Sequence, residues 1–553
     1  MNTRPMFFAF VLGATVLLSS CERDWPSYRY DQHRSGHQEW AGPLSDPDDV
    51  SKLKVEWTWP STGSEGGFFR SSPVVFERRV FIGSSSGFFY ALDAKTGNKL
   101  WQYPDPGPAL LGTCTFGNYG IQSSATSARI HDEEAVIFGA PDPSPSVDGG
   151  LGSARLWALN VHTGKLIWSS DVVAHVNGTC TFGSMTELHE RIAYSSPLVH
   201  EDKVYVGVHD YGDDPIQNGK VIAVDLQTGH IDPAFTYVST STRGGGVWNS
   251  PAADEKGIYF TTGNTRNWNG GSQPEPPINN GLSMVRVNRH TGAVDWKFQP
   301  VPYNLDDDPD WSAGAAVMHS TCGDLVESVQ KDGWTYAVNA STGSCRWQYP
   351  PTNEPSCAFP PGGPHVHGDT HYKRPGATWG DVLIINAGGW GIATPGVPSP
   401  DCGVSGTNAC TAGYARLHAL NSCTPDPQRA RWILDVPNAT PGNGYGIGAP
   451  TVTGGIVYVT TDQGHVVAIA DPALRPPAGF QCTNEFINPS TGPLWPALCV
   501  AFGFQLVPTP QVLANVALPD GADAAGLRNE PAITRDRLFA ATGGGHVYAL
   551  STH

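Results

Sequence analysis

The sequence predicts an all-β chain folded as one eight-bladed β-propeller, and three observations predict it. A hairpin pattern, ending in Trp in its clearest copies, recurs eight times along the chain. Gly (64) and Pro (47) supply about one residue in five of the 553, well above ordinary globular usage. The 17 Trp, 18 Tyr and 21 Phe provide apolar bulk for a core built from short strands. Composition also excludes several classes. A hydrophobic content of 39% rules out disorder. A formal net charge of -17 argues against nucleic acid, whose phosphates need a basic face. Five Met and few Lys argue against helical bundles.

Taken from the N-terminus, the first element lies outside the fold. Arg4 precedes an apolar run at 7–18 that is too short to span a bilayer in a mature protein. The run ends in Leu18-Ser19-Ser20-Cys21, similar to a bacterial lipoprotein signal. Residues 1–20 are therefore expected to be removed and Cys21 lipidated, with an ordinary cleaved secretion signal as the alternative. Either outcome exports the chain, to the periplasm or to the outer membrane through a lipid on Cys21. Residues 21–553 are expected to form a single domain.

The repeating element is clearest as ALDAKTGNKLW at 91–101 and ALNVHTGKLIW at 158–168. Looser copies are AVDLQTGHI from 223, RVNRHTGAVDW at 286–296 and AVNASTGSCRW at 337–347. Degenerate copies begin at 419, 468 and 548. Anchored on the Asp or its equivalent, the eight copies fall at 93, 160, 225, 288, 339, 421, 470 and 551. Asp or Asn opens a turn by side-chain-to-backbone hydrogen bonding, and Gly supplies the positive φ that the turn needs. The Trp is a large wedge between neighbouring sheets. Each copy follows another strand pair, as at 71–93, and four strands make one blade. The last copy stops at His553 without a Trp strand, whereas Lys54–Trp59 is a Trp strand without a blade. The N-terminal strand is therefore expected to complete the C-terminal blade and remove an open sheet edge.

Ten cysteines remain beyond Cys21, an even number that favours disulfides in an oxidising compartment. Cys322/Cys345 and Cys402/Cys410 are the expected local pairs, and Cys114 and Cys180 sit in duplicated Gly-Thr-Cys-Thr-Phe-Gly hexapeptides. There is no CxxC and no CxxCH, hence no zinc ribbon and no motif for covalent haem.

The repeat resembles the tryptophan-docking repeat of pyrroloquinoline quinone (PQQ) dehydrogenases. Trp25-Pro26-Ser27-Tyr28, the strand at 50–59 and the blade sequences are most similar to the polyvinyl-alcohol dehydrogenase branch. The resemblance implies an exported quinoprotein that oxidises an alcohol, a polymeric one such as polyvinyl alcohol included, with PQQ and Ca²⁺. Electrons would pass to an external acceptor such as a periplasmic c-type cytochrome. Non-catalytic propellers, among them an outer-membrane assembly scaffold, carry the same repeat, so a protein-binding scaffold is the alternative and a lectin-like polymer binder a third reading. Function therefore rests on the site.

Innermost strands align on the Pro or Ala at 73, 125, 197, 251, 315, 450 and 531. Three positions earlier stand Arg70, Gln122, Tyr194, Trp248, Ser312, Ile447 and Arg528, a ring suited to an anionic, planar ligand or to a hydrogen-bonded channel plug. The resemblance assigns the cofactor to Arg70, Gln122, Trp248 and Lys331, with Trp248 as the floor under the flat quinone and Lys331 reaching its carbonyls. It assigns the metal to Asn264, which closes Thr-Gly-Asn, and to Asp310. Asp310, five residues before Ala315, is the implied catalytic base, with Asp308 in reserve within the cluster Asp306, Asp307, Asp308 and Asp310. The family's further metal ligand is a Glu, for which Asp213 is the substitute here. Two other departures are Gln122 where Arg is common and the absence of an adjacent Cys-Cys pair. His365 and His367 lie where a sixth innermost strand is expected to begin. Ser312, two residues past Asp310, stands where lanthanide-dependent members carry an extra carboxylate, which favours Ca²⁺.

Overall fold

A computed structural model describes residues 24–60, 67–114, 120–178, 188–210, 217–239, 244–264, 280–300, 310–331, 334–349, 357, 375–386, 415–425, 428–440, 446–482, 506–520 and 529–553. Among these, the strands form eight sheets of four or more strands and one two-stranded hairpin, and the eight sheets are the blades of a propeller. The innermost strands are Val74–Phe76, Thr126–Ile130, Leu198–His200, Ala252–Asp254, Ala316–Ser320, Ala377–Trp379, Thr451–Thr453 and Ala532–Ile533. All but the sixth open on the residue after the aligned Pro or Ala. The sixth opens at Ala377, so the expectation that it begins near His365 and His367 is not met, and both histidines lie outside the described residues. Lys54–Trp59 pairs antiparallel with Val547–Ser551, which closes the ring as expected.

The repeat's chemistry is visible in the first five turns. Asp93 Oδ1 accepts from the Lys95 and Thr96 backbone N–H groups and the Thr96 hydroxyl, and Asn160, Asp225, Asn288 and Asn339 hold their turns in the same way. The turn glycine has a second task. Trp101 of blade 1 lies on Gly164 of blade 2, where a Cβ would come within 2.7 Å of the indole, and its Nε1–H donates to the Val161 carbonyl at 3.0 Å. Trp168 sits likewise on Gly229, Trp296 on Gly343, and Trp57 of the closing strand on Gly97. Four blade junctions are thus pinned by an indole that only glycine can accommodate.

At the centre, two sets of hydrogen bonds tie the blades together. The Ser72 N–H donates to Ser124 Oγ (2.8 Å), Ser124 N–H to Ser196 Oγ (3.0 Å), and Ser196 N–H to Ser250 Oγ (2.9 Å). Glu530 N–H donates to Ser72 Oγ (3.2 Å), so the ladder runs from blade 8 to blade 4. Under it passes the segment 24–38, which touches every blade. Its backbone bonds Val75, Ala125, Ala253, Val317, Thr378 and Val452. Arg34 donates to the Pro197 and Pro251 carbonyls, and Arg29 to Pro450 O, Gly376 O and Glu530 Oε2 (2.7 Å). Both arginines are buried, at 0% and 2% exposure, so their charges are satisfied by carbonyls and one carboxylate rather than by water.

The disulfides correct one expectation. Cys322 pairs with Cys423 and Cys345 with Cys357, not Cys322 with Cys345. Cys322 is in the turn after the innermost strand, whereas Cys345 opens the outermost strand of the same blade, Cys345–Tyr349. Two strand spacings, about 10 Å, separate those places, beyond disulfide reach. Cys402 and Cys410, like residues 1–21, lie outside the described residues.

Two predictions follow from this architecture. Gly164 and Gly380 both have positive φ (68° and 57°), but a Cβ at 380 meets nothing within 4 Å. Gly380→Ala should cost about 1 kcal/mol from backbone strain alone. Gly164→Ala should cost at least about 2 kcal/mol because Trp101 must also move; equal losses in urea denaturation would refute the double role of the glycine. The second concerns Glu327, buried beside blade 6 with Oε1 accepting from the Ser422 hydroxyl (2.9 Å). Burial pushes its carboxyl up from 4.5 to about 8. The folded state therefore holds a proton that the unfolded state releases. The stability this contributes is complete below pH 4.5 and is lost as pH rises through about 8. Glu327→Gln should gain on the parent protein progressively over that window, and parallel stability–pH curves would contradict the assignment.

Candidate active site

Five ring and loop residues meet where the chain enters the innermost strands. The Arg70 guanidinium of blade 1 donates to the Tyr194 hydroxyl of blade 3 at 3.0 Å. Tyr194 stands edge-on to Trp248 of blade 4, with ring centroids 6.3 Å apart. The Trp248 Nε1–H donates to Asp310 Oδ2 at 3.0 Å, and Lys331 Nζ lies 2.6 Å from Asp310 Oδ1. The same ammonium is 5.5 Å from the Trp248 ring centroid. The structure thus brings Arg70, Trp248, Lys331 and Asp310 together, with Tyr194 as the bridge.

Local sequence explains how each is held. Asp310 precedes Trp311, which is fully buried against Tyr336, and the Trp311 carbonyl accepts from the Asn249 side-chain amide at 2.9 Å. The Lys331 N–H donates to the Asp310 carbonyl at 2.8 Å, so backbone and side chain lock the same pair. Trp248 follows Gly244-Gly245-Gly246, with φ of 122° and 70° at the first two, conformations that side chains disfavour. Gly263 keeps the adjoining space open: a Cβ there would lie 3.3 Å from Asp310 Oδ2 and 3.5 Å from the Trp248 ring. Asn264 follows directly, and its backbone carbonyl accepts from Gly245 N–H at 2.7 Å.

Gln122 is buried at 4% exposure, and neither amide atom has a hydrogen-bond partner among the described residues. An unmatched buried amide is costly unless a ligand completes it. His209 was not singled out by sequence; it stacks on Tyr194 at 5.9 Å, and burial pulls its imidazole down to about 3, so it is neutral at ordinary pH. Its ring nitrogen Nδ1 is bonded to the Asp210 carbonyl. The Ser312 hydroxyl donates to the Val329 carbonyl at 3.1 Å. Asp213, Asp306, Asp307, Asp308 and Arg528 lie outside the described residues, and among those described no cluster of three or more His, Cys, Asp or Glu side chains could hold a metal ion.

The arrangement is an indole face with a cation above it, a second cation across the mouth, a buried amide and a buried carboxylate. Such a set can grip a flat, negatively charged ligand and place a proton acceptor at its edge. Comparison with known proteins bears on that ligand. Residues 25–360, more than half of the chain, match the family described as "PQQ: Glucose/ethanol/alcohol dehydrogenase, beta-propeller domain". The polyvinylalcohol dehydrogenase of Sphingopyxis sp. (strain 113P3) is 27% identical over 347 residues, which cover 55% of this chain and 47% of that protein. The dehydrogenase subunit of a quinone-type alcohol dehydrogenase from Gluconobacter oxydans (strain 621H) is 24% identical over 389 residues, 61% of this chain and 46% of that one. The chain therefore spans just under half the length of each of these relatives. A europium-containing methanol dehydrogenase shares the fold, with a TM-score of 0.63 at 16% identity over 96% of this chain and 98% of that one.

The Asp310–Lys331 pair carries a stability prediction. With Asp310 at 2% exposure, Asp310→Asn removes the buried countercharge of Lys331 and should cost about 3 kcal/mol. Asp310→Asn combined with Lys331→Met restores charge balance and should recover most of that loss. Denaturation of the single and double variants checks it; a neutral single variant would show that the pair contributes little.

Proposed function

Because the chain belongs to the PQQ-dependent glucose, ethanol and alcohol dehydrogenase family, we propose that it is an exported quinoprotein dehydrogenase that oxidises an alcohol. The observation that carries this reading is the contact chain Trp248–Asp310–Lys331, together with a buried Gln122 amide that has no partner among the described residues. These residues fit PQQ, a flat and anionic quinone. Trp248 would bear its ring, Lys331 would face its carbonyl oxygens, and Arg70 and Gln122 would take its carboxylates. When bound, PQQ supplies a two-electron acceptor for the hydride of the alcohol carbon. The chain's own part is acid–base and electrostatic. Asp310 would accept the hydroxyl proton at the carboxylate that Lys331 and the Trp248 indole orient. The Lys331 ammonium stabilises negative charge developing on a neighbouring oxygen. His209, neutral and bonded through Nδ1, holds Tyr194 in place rather than moving protons.

For the metal, Asn264, Asp310 and Asp213 would provide oxygen ligands, and Ca²⁺ tolerates such irregular coordination. Ser312 offers a neutral hydroxyl already committed to Val329 O, which favours a divalent over a trivalent ion. A c-type cytochrome in the periplasm would take the electrons, since the sequence has no CxxCH. The likeness to the polyvinylalcohol dehydrogenase supports a polymeric alcohol as substrate, and a lipid on Cys21 would hold the enzyme at the outer membrane, with a free periplasmic enzyme as the alternative.

The test is alcohol-dependent dye reduction by purified protein supplied with PQQ and Ca²⁺. Activity should appear with Ca²⁺, and Asp310→Asn should lower it by at least about 100-fold. Restoration of chelated protein by La³⁺ alone would overturn the calcium reading. No quinone-dependent activity with either ion, in protein that remains folded, would favour the scaffold reading, and covalent haem in the purified chain would exclude an external first acceptor.

A further inference from the structure

We propose that His33 and His319 form a second metal site, for a borderline divalent transition-metal ion such as Zn²⁺ or Cu²⁺, at the far end of blade 5 from Asp310. Asp310 precedes the innermost strand Ala316–Ser320, and His319 lies near that strand's end. The segment 24–38 brings the other imidazole: Val317 N–H donates to the His33 carbonyl at 2.9 Å, which fixes His33 alongside His319.

The two Nε2 atoms are 3.4 Å apart, and the ring centroids are 4.7 Å apart at 86°. A tetrahedral Zn²⁺ with Zn–N bonds of about 2.05 Å places two nitrogens about 3.3 Å apart. A direct N–H···N hydrogen bond prefers about 2.9–3.0 Å, so the observed spacing suits a shared ion better than a shared proton. The rings approach with their nitrogens closer than their centres, which turns both Nε2 atoms toward a common point.

The remaining ring nitrogen of His319 is hydrogen-bonded to a carboxylate, and a second carboxylate lies near that of His33 without bonding it. His319 Nδ1 lies 2.8 Å from Asp324 Oδ1, directly across the strand pair, and His33 Nδ1 lies 4.0 Å from Asp31 Oδ2. A carboxylate behind an imidazole fixes the tautomer that presents a bare Nε2 and raises its basicity, the usual outer shell of a ligating histidine. Burial also lowers the pKa of His33, which favours the neutral form that metals bind. Lys256, bonded to Asp324, opposes a cation to a degree, and no third His, Cys, Asp or Glu joins the pair among the described residues. Water would complete the shell. Two imidazoles select Zn²⁺ or Cu²⁺ over Ca²⁺, so this site and the proposed cofactor metal do not compete.

Zinc titration of the full-length protein tests the proposal, by calorimetry in the presence of Ca²⁺. The site predicts one zinc ion per chain whose affinity falls about tenfold or more in His33→Ala and in His319→Ala, and about tenfold in Asp324→Asn. With Cu²⁺, electron paramagnetic resonance should show two coordinated nitrogens in the parent protein and one in His319→Ala. His319 is half-exposed, so its replacement leaves the fold intact and stands as the decisive variant should His33→Ala unfold. Zinc affinity unchanged in His319→Ala, or a copper spectrum unaltered by it, would overturn the proposal.

Discussion

The molecule depends on how eight separate sheets are held around one axis. Blade edges face the centre with backbone groups that need partners, and water cannot reach them all. The serine ladder from Glu530 through Ser72, Ser124 and Ser196 to Ser250 satisfies one set. The segment 24–38 satisfies a second set, with Arg29 and Arg34 reaching carbonyls on four blades and a carboxylate on a fifth. Arg29, Tyr30 and Arg34 have φ of 59°, 76° and 59°, a left-handed backbone that side chains rarely adopt. That strain is sustained because breaking the buried Arg29–Glu530 pair would cost about 3–5 kcal/mol. Gly36 belongs to the same device, since a Cβ there would lie 2.1 Å from the Arg29 guanidinium.

The candidate active site stands on this floor. Arg70, Gln122, Tyr194 and Trp248 lie two residues before Ser72, Ser124, Ser196 and Ser250, so each ladder bond fixes the height of one ring side chain. Ser71 and Ser123 act within the blade, bonding Gly83 and Gly139 of the second strand. Positions are therefore set twice, across and along the blades. Blade 5 departs from the pattern: Gly314 replaces serine, because a side chain there would meet the Ser250 carbonyl at 2.6 Å. Its site residue, Asp310, is fixed by the Lys331 backbone and the buried Trp311 instead.

The architecture was legible because its signals are local. Asp93, Thr96 and Gly97 form a turn within five residues, and Trp101 follows at a fixed offset, so the repeat could be counted without knowing what the indole rests on. The ring-closing strand Lys54–Trp59 was legible as a Trp strand lacking a blade. Long-range pairing was not. The Ser-Ser-Pro and Ser-Ser-Ala runs are plain in the sequence, yet the bonds between ladder serines join residues 52 to 72 positions apart and the Glu530–Ser72 bond spans 458. Cys322 likewise pairs across 101 residues because blades 5 and 6 are neighbours in space. At the site, Trp248 and Lys331 were singled out through motifs and Asp310 by its offset from Ala315, whereas Tyr194 as a bridge and His209 behind it depend on contacts between blades. The carboxylate expected at Asp213 lies in a stretch, 211–216, outside the described residues.

Everything about the proposed chemistry turns on whether a quinone rests on Trp248. The direct measurement is an experimental structure of the purified protein with PQQ and Ca²⁺ added. The account predicts the quinone parallel to the Trp248 indole at van der Waals contact, about 3.5–4 Å, with an edge toward Lys331 and the Gln122 amide engaged. A fully ordered propeller with the Trp248 face bare at saturating PQQ, or with PQQ bound elsewhere, would contradict it.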